Sequence, residues 1–122
     1  MTSADPSTPY PYLRVHVQIG SPRHIEQELD LEALVDTGFD GGLTISPALI
    51  DPSITPDTHL PWQLADGSQI LTPAYLATVQ IAQFPPVTTI VIALGDEPLL
   101  GRSVTDSFRL IFDHGREVVV EP

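Results

Sequence analysis

One carboxylate in this chain stands where an enzyme could use it. Asp36 ends the apolar run of residues 33–35 and is followed by Thr37 and Gly38, so a carboxyl, a hydroxyl and a glycine share one turn. A carboxylate held at the end of a buried strand can serve as a general acid or base. The alternative is a purely structural Asx turn. Because the chain contains a single Asp-Thr-Gly, chemistry that needs two such carboxylates needs two copies of the chain.

Two further segments stand out along the chain. Residues 98–102, Pro-Leu-Leu-Gly-Arg, end a second apolar pattern at a glycine. Residues 64–68, Leu-Ala-Asp-Gly-Ser, contain the pair Asp66-Gly67, which predicts a hairpin turn between strands at 62–65 and 69–72. The sequence therefore predicts a carboxylate loop, a glycine-terminated strand and a hairpin in one small domain.

These segments, in this order, resemble the retropepsin-like aspartic proteases, the single-domain relatives of pepsin that act as homodimers. The nearest likeness is to small bacterial predicted aspartyl proteases. It rests on residues 34–45, LVDTGFDGGLTI, with support from residues 99–102 and a less specific match at 64–68. The resemblance covers nearly the whole chain after residue 9 and implies an all-β, closed, barrel-like acid-protease fold with one or two short helices.

The resemblance also implies roles for individual residues. Asp36 is then the catalytic carboxylate, Thr37 braces the carboxylate pair across the dimer, and Gly38 shapes the loop. The residues expected to contact a peptide substrate, in the loop and in a flap over it, are Phe39, Ala65, Asp66, Gly67 and Ser68.

A shared pair of carboxylates has a simple mechanism. Two carboxyl groups held close together cannot both ionise easily, so the pair retains one proton. The ionised group takes a proton from water, and the neutral group donates one to the scissile carbonyl oxygen. The predicted activity is therefore an endopeptidase that needs no metal or cofactor. Two other functions stay open: a dimeric peptide-binding or assembly module with little turnover, and a phosphotransfer domain that binds Mg²⁺ and nucleotide.

The composition of the chain narrows the classes of molecule that it is expected to bind. The chain has 122 residues, enough for one domain, and a formal net charge of −11 from 5 basic and 16 acidic residues. This charge argues against nucleic acid and anionic membranes, because phosphate groups are bound by clustered Lys and Arg. No apolar run approaches the roughly 18 residues of a membrane span, so a cytoplasmic protein is expected. The chain has no cysteine, and its 4 histidines are too scattered to predict a metal site.

Alternating polarity predicts strands through most of the chain. Residues 25–35 alternate with period two and are assigned to a strand, although their Glu, Gln, Leu and Ala favour a helix. Residues 1–9 are predicted to be a mobile tail and residues 10–122 the protease domain. The other predicted strands are 13–19, 43–45, 75–81, 87–94, 110–112 and 118–120, with short helices at 48–50 and 103–108 and a proline-rich loop at 51–61.

Overall fold

The computed structural model describes residues 8–122, so residues 1–7 of the predicted tail lie outside the described residues. The described part contains nine strands, one turn of 3-10 helix at Pro47–Leu49 and one short helix, α1, at Arg102–Thr105. The strands are β1 (Tyr12–Ser21), β2 (His24–Val35), β3 (Leu43–Ile45), β4 (Thr58–Gln63), β5 (Gln69–Gln80), β6 (Val87–Ala93), β7 (Leu99–Leu100), β8 (Arg109–Asp113) and β9 (Glu117–Glu121).

The prediction of an all-β domain is confirmed. Seven strands form one sheet in the order β1-β2-β7-β3-β6-β5-β4, and β1 also pairs with β5, so the sheet curls round and is partly closed. The apolar residues of β1 that share one face, Leu13, Val15, Val17 and Ile19, are buried in the core. The strands β8 and β9 form a separate hairpin.

The assignment of residues 25–35 to a strand is also confirmed. β2 pairs with β1 along its whole length, with Leu29 opposite Val17 and Leu31 opposite Val15. The period of two outweighs helix propensity here because Leu29, Leu31 and Ala33 of β2 each lie beside an apolar residue of β1 and pack with it in or against the core.

The site depends on the position of β7. This two-residue strand lies between β2 and β3, parallel to β2 and antiparallel to β3. The loop that leaves β2 must therefore pass the end of β7 before the chain returns as β3. The carboxylate loop at 36–42 and the glycine that follows β7 are brought together in this way.

Some element boundaries differ from the predictions. β4 begins at Thr58, inside the predicted loop at 51–61, and β5 is one strand rather than the two predicted at 69–72 and 75–81. Pro61 is tolerated because β4 is the last strand of the sheet order. Pro73 is tolerated because the pairing of β5 with β6 begins only at Ala74, so one side of β5 is unpaired at the proline.

Both predicted short helices are present, the first one residue earlier than predicted and the second in shortened form. The first spans Pro47–Leu49, with the Ser46 hydroxyl accepting a hydrogen bond from the Ala48 N–H at 3.4 Å. The second, α1, covers Arg102–Thr105. Among residues 8–122, no helix has both the length and the apolar character needed to cross a bilayer.

Candidate active site

The backbone of Asp36 continues the pairing between β2 and β7. The Asp36 N–H donates to the carbonyl oxygen of Leu100 at 3.0 Å, one step beyond the paired residues Val35 and Leu100. Val35 and Leu100 are both buried, whereas Asp36 is only partly buried. The carboxylate is thus fixed at the point where the core ends and solvent begins.

The loop orients the Asp36 side chain. The Gly38 N–H donates to Asp36 Oδ1 at 2.9 Å, and the Phe39 N–H donates to the Asp36 carbonyl oxygen at 3.2 Å. Within residues 8–122, Asp36 Oδ2 has no hydrogen-bond partner, and Thr37 is exposed. The Asx turn considered as an alternative is therefore present, and it leaves one carboxylate oxygen available for chemistry.

Gly101 and Arg102, which follow β7, hydrogen-bond the other end of the carboxylate loop. The Gly101 N–H donates to the Gly42 carbonyl oxygen at 2.8 Å, and the Arg102 N–H donates to the Phe39 carbonyl oxygen at 2.8 Å. A Cβ atom at Gly101 would lie 2.1 Å from the Gly41 carbonyl oxygen, so this approach is open only to glycine. Two motifs separated by about sixty residues in the sequence thus form one rigid loop pair.

The predicted hairpin at Asp66-Gly67 is present between β4 and β5. Its loop has three residues rather than two, because the Leu64 N–H donates to Ser68 O at 2.8 Å and the Gly67 N–H donates to Leu64 O at 3.0 Å. Gly67 has a φ of +89°, as the last residue of such a loop requires. Ala65, Asp66, Gly67 and Ser68 are all exposed.

Asp66 stabilises the hairpin tip with its side chain. Its Oδ1 accepts hydrogen bonds from the Ser68 hydroxyl at 2.6 Å and from the Ser68 N–H at 2.9 Å. These two bonds, the hydroxyl bond first, lower the pKa of Asp66 below its ordinary value. The tip is therefore held in one turn although it packs against nothing.

An aromatic contact joins this hairpin to the carboxylate loop. The rings of Phe39 and Trp62 meet edge to face, with centroids 5.8 Å apart and planes at 63°. Phe39 is 9% exposed, whereas Trp62, in β4, is partly buried. The contact therefore joins β4 of the hairpin to the carboxylate loop. The ring of Trp62 thus packs on the carboxylate loop.

The sequence reasoning missed the wall of the site formed by the loop between β6 and β7. A cavity of about 230 Å³ lies between this loop and the hairpin, with the lining residues Thr44, Trp62, Leu94, Gly95, Asp96, Glu97 and Leu99. The only signal in the sequence was the position of this loop, directly before the Leu-Leu-Gly of residues 99–101.

No metal site accompanies the carboxylate among the described residues, where no group of three or more His, Asp or Glu side chains could hold an ion. His16 lies on the outer face of β1 and hydrogen-bonds Asp30 and Glu28 of β2. The hydrogen bond to Asp30, the largest effect, and the bond to Glu28 raise the pKa of His16 above its ordinary value.

The fold and the site define a class: an all-β domain in which a carboxylate, Asp36, lies in a loop beside a glycine-terminated strand, and an aromatic contact joins this loop to a hairpin. No protein-family model matches the chain, and no curated protein matches it.

Proposed function

We propose that this chain is a retropepsin-like aspartic endopeptidase, with the closed, barrel-like acid-protease fold, that acts as a homodimer on peptide or protein substrates. The observation that carries the proposal is the joining of Asp36 to the end of β7. The Asp36 N–H bonds the Leu100 carbonyl oxygen, and Gly101 bonds the same loop from the other side. A hairpin then lies over this loop through Phe39 and Trp62. The substrate proposed for this site is an extended peptide, bound through backbone hydrogen bonds as at a sheet edge.

The homodimer follows from the number of carboxylates. Each chain supplies one Asp-Thr-Gly, and a two-fold axis would bring the two Asp36 side chains together. Thr37 is exposed next to Asp36, so its hydroxyl is available for a bond to the partner copy. If sedimentation shows a strict monomer under the same conditions in which the protein cleaves peptides, the shared pair is ruled out.

The chemistry is general acid–base hydrolysis. Of the two Asp36 carboxyl groups, one is ionised and takes a proton from the attacking water, while the other is protonated and donates to the carbonyl oxygen of the scissile bond. The hydrogen bond from the Gly38 N–H holds Oδ1 of each group, so Oδ2 is the oxygen that faces the reaction. Activity should fall at high pH once both carboxyl groups are ionised.

The test is cleavage of a peptide library from acidic to neutral pH by the wild type and by Asp36→Asn. The variant should lose at least about a hundredfold in kcat/KM, the usual contribution of a positioned acid or base. Asp40→Asn is the matched control, because it removes one carboxylate four residues away and should retain turnover. Full activity of Asp36→Asn would reject the assignment.

Peptide binding without cleavage by the wild type would favour the binding module, and Mg²⁺-dependent nucleotide binding would favour the phosphotransfer domain. The cytoplasmic location stays a prediction.

A further inference from the structure

The cavity between the hairpin and the loop joining β6 to β7 adjoins the proposed catalytic group. One of its walls is Leu99, whose neighbour Leu100 accepts the hydrogen bond from Asp36. Its opposite wall is Trp62, which contacts Phe39 of the carboxylate loop. A substrate side chain next to the bond that the Asp36 pair hydrolyses would therefore enter this cavity.

The cavity has apolar walls and an acidic mouth. Trp62, Leu94 and Leu99 form the apolar part of the lining. The Thr44 hydroxyl is already occupied, because it donates to the Glu97 carbonyl oxygen at 3.4 Å and accepts from the Leu99 N–H at 3.0 Å. The polar side chains left for a ligand are the exposed carboxylates of Asp96 and Glu97.

The Glu97 carboxylate is held in place by a neighbour outside the lining. The Tyr12 hydroxyl donates a hydrogen bond to Glu97 Oε1, and this bond is the largest cause of the raised pKa of Tyr12, whose phenol therefore stays a donor at neutral pH. Within the part of the chain that the structure describes, Oε2 of Glu97 has no hydrogen-bond partner. No arginine lines the cavity, and the chain has only 5 basic residues in all.

We infer that this cavity selects substrates with a lysine or arginine side chain next to the scissile bond, an inference that rests on the proposed function. The methylene stem of such a side chain would lie against Trp62 and Leu99, and its cationic end would meet the carboxylates of Asp96 and Glu97. The cavity has about eight times the volume that one water molecule takes up in the liquid, enough for one long side chain.

An apolar side chain of the same length fits the walls but not the mouth. It would bring hydrocarbon against two carboxylates and supply no hydrogen bond to replace the water that it displaces. The distinction to measure is therefore lysine against norleucine, which has a similar stem and no charge.

The experiment uses two peptide libraries that are random except for a central lysine in one and a central norleucine in the other. In the wild type, kcat/KM for cleavage next to the central residue should be higher for lysine. In Asp96→Asn/Glu97→Gln, the ratio of lysine to norleucine should fall about 1.4-fold to fivefold for each lost charge, the range for exposed ion pairs. A wild type that prefers norleucine, or a ratio that does not change in the double variant, would overturn the inference.

The matched control is Glu26→Gln, which also removes one negative charge. Glu26 is exposed in β2, ten residues before Asp36 and thus about 30 Å along an extended strand. In Glu26→Gln, the ratio of kcat/KM for lysine to that for norleucine should equal the ratio in the wild type. A fall as large, for each lost charge, as in Asp96→Asn/Glu97→Gln would mean that the preference arises from the overall charge of −11 and would reject the cavity.

A binding measurement separates this inference from the proposed activity. Trp62 is the only tryptophan, so its fluorescence reports directly on this cavity. In Asp36→Asn, the lysine library should change the fluorescence at lower concentration than the norleucine library. If the wild type cleaves neither library while this difference is present, the protease proposal fails and the cavity inference holds. Equal binding, or binding of neither library, would overturn the inference whatever the activity.

Discussion

The contact between Phe39 and Trp62 should stabilise the folded chain by more than the apolar area that it buries. Their centroid distance of 5.8 Å and interplanar angle of 63° lie in the range where edge-to-face pairs contribute about 0.5–1.5 kcal/mol beyond burial. We expect a double-mutant cycle with Phe39→Leu and Trp62→Leu to give a coupling energy in that range. Leucine keeps an apolar side chain at each position, so the cycle isolates the ring contact.

The single variants should differ in cost. Phe39 is 9% exposed and lies against Gly41 and Gly101, so Phe39→Leu leaves unfilled space and should cost about 1–3 kcal/mol of unfolding free energy. Trp62 is only partly buried, so Trp62→Leu should cost less. The assay is urea unfolding followed by far-ultraviolet circular dichroism, because Trp62→Leu removes the only tryptophan. All variants are measured at one chain concentration, since a dimer makes stability depend on it.

The control cycle pairs Trp62→Leu with Phe84→Leu. Phe84 is as buried as Phe39, at 6% exposed, but its aromatic neighbour is Phe108. This pair should be additive within about 0.5 kcal/mol, as distant sites are. A coupling for Phe39 and Trp62 no larger than this control value would refute the claim that the rings join the hairpin to the carboxylate loop.

Three further predictions concern backbone shape and pH. Gly67→Val should lower kcat/KM for peptide cleavage by about tenfold or more, because the φ of +89° strains a branched residue. The protein should stay folded, because the position faces open space. Asparagine tolerates this φ, so Gly67→Asn should be nearly normal in the same peptide assay. Gly101→Ala should cost about 1–3 kcal/mol in urea unfolding and should also lower activity, because its Cβ would meet a backbone oxygen at 2.1 Å; wild-type stability would contradict the close approach. His16→Gln should lower the melting temperature at pH 6 and have little effect near pH 9, because a raised histidine pKa contributes stability below its ordinary value of 6.5 and loses it as pH rises through the higher folded value; a loss confined to alkaline pH would contradict this sign.

Local patterns predicted the parts of this fold that depend on neighbours in sequence. The period of two in β2 and the turn at Asp66-Gly67 each need only a few adjacent residues, and both were predicted correctly. The boundaries of β4 and β5 were missed because their prolines are tolerated only where one side of the strand is unpaired, and that depends on the whole sheet.

The candidate site was only half accessible to sequence reasoning. Asp36 and the glycine motif at 101 could be recognised separately, but the insertion of β7 between β2 and β3 joins residues more than fifty positions apart. The contact of Trp62 with Phe39 is equally long-range. Glu97 was missed for a different reason: a charged residue in a short loop has no local pattern, and only its position on the cavity gives it meaning.

The structural and the catalytic interpretations of Asp36 are compatible, and this decides which substitution separates them. The Asx turn uses only Oδ1, as acceptor of the Gly38 N–H. Asparagine offers the same carbonyl oxygen at the same place, so Asp36→Asn should keep the turn and the unfolding free energy while removing the ionisable group. Alanine removes both the acceptor oxygen of the turn and the ionisable group. Asp36→Ala should therefore cost about 0.5–1.5 kcal/mol of stability, the net contribution of one hydrogen bond. Loss of cleavage in both variants, with loss of stability in alanine alone, would assign the chemistry to the carboxylate. Equal loss of stability in both would mean that the charge itself holds the loop, and the argument for a free catalytic oxygen would fail.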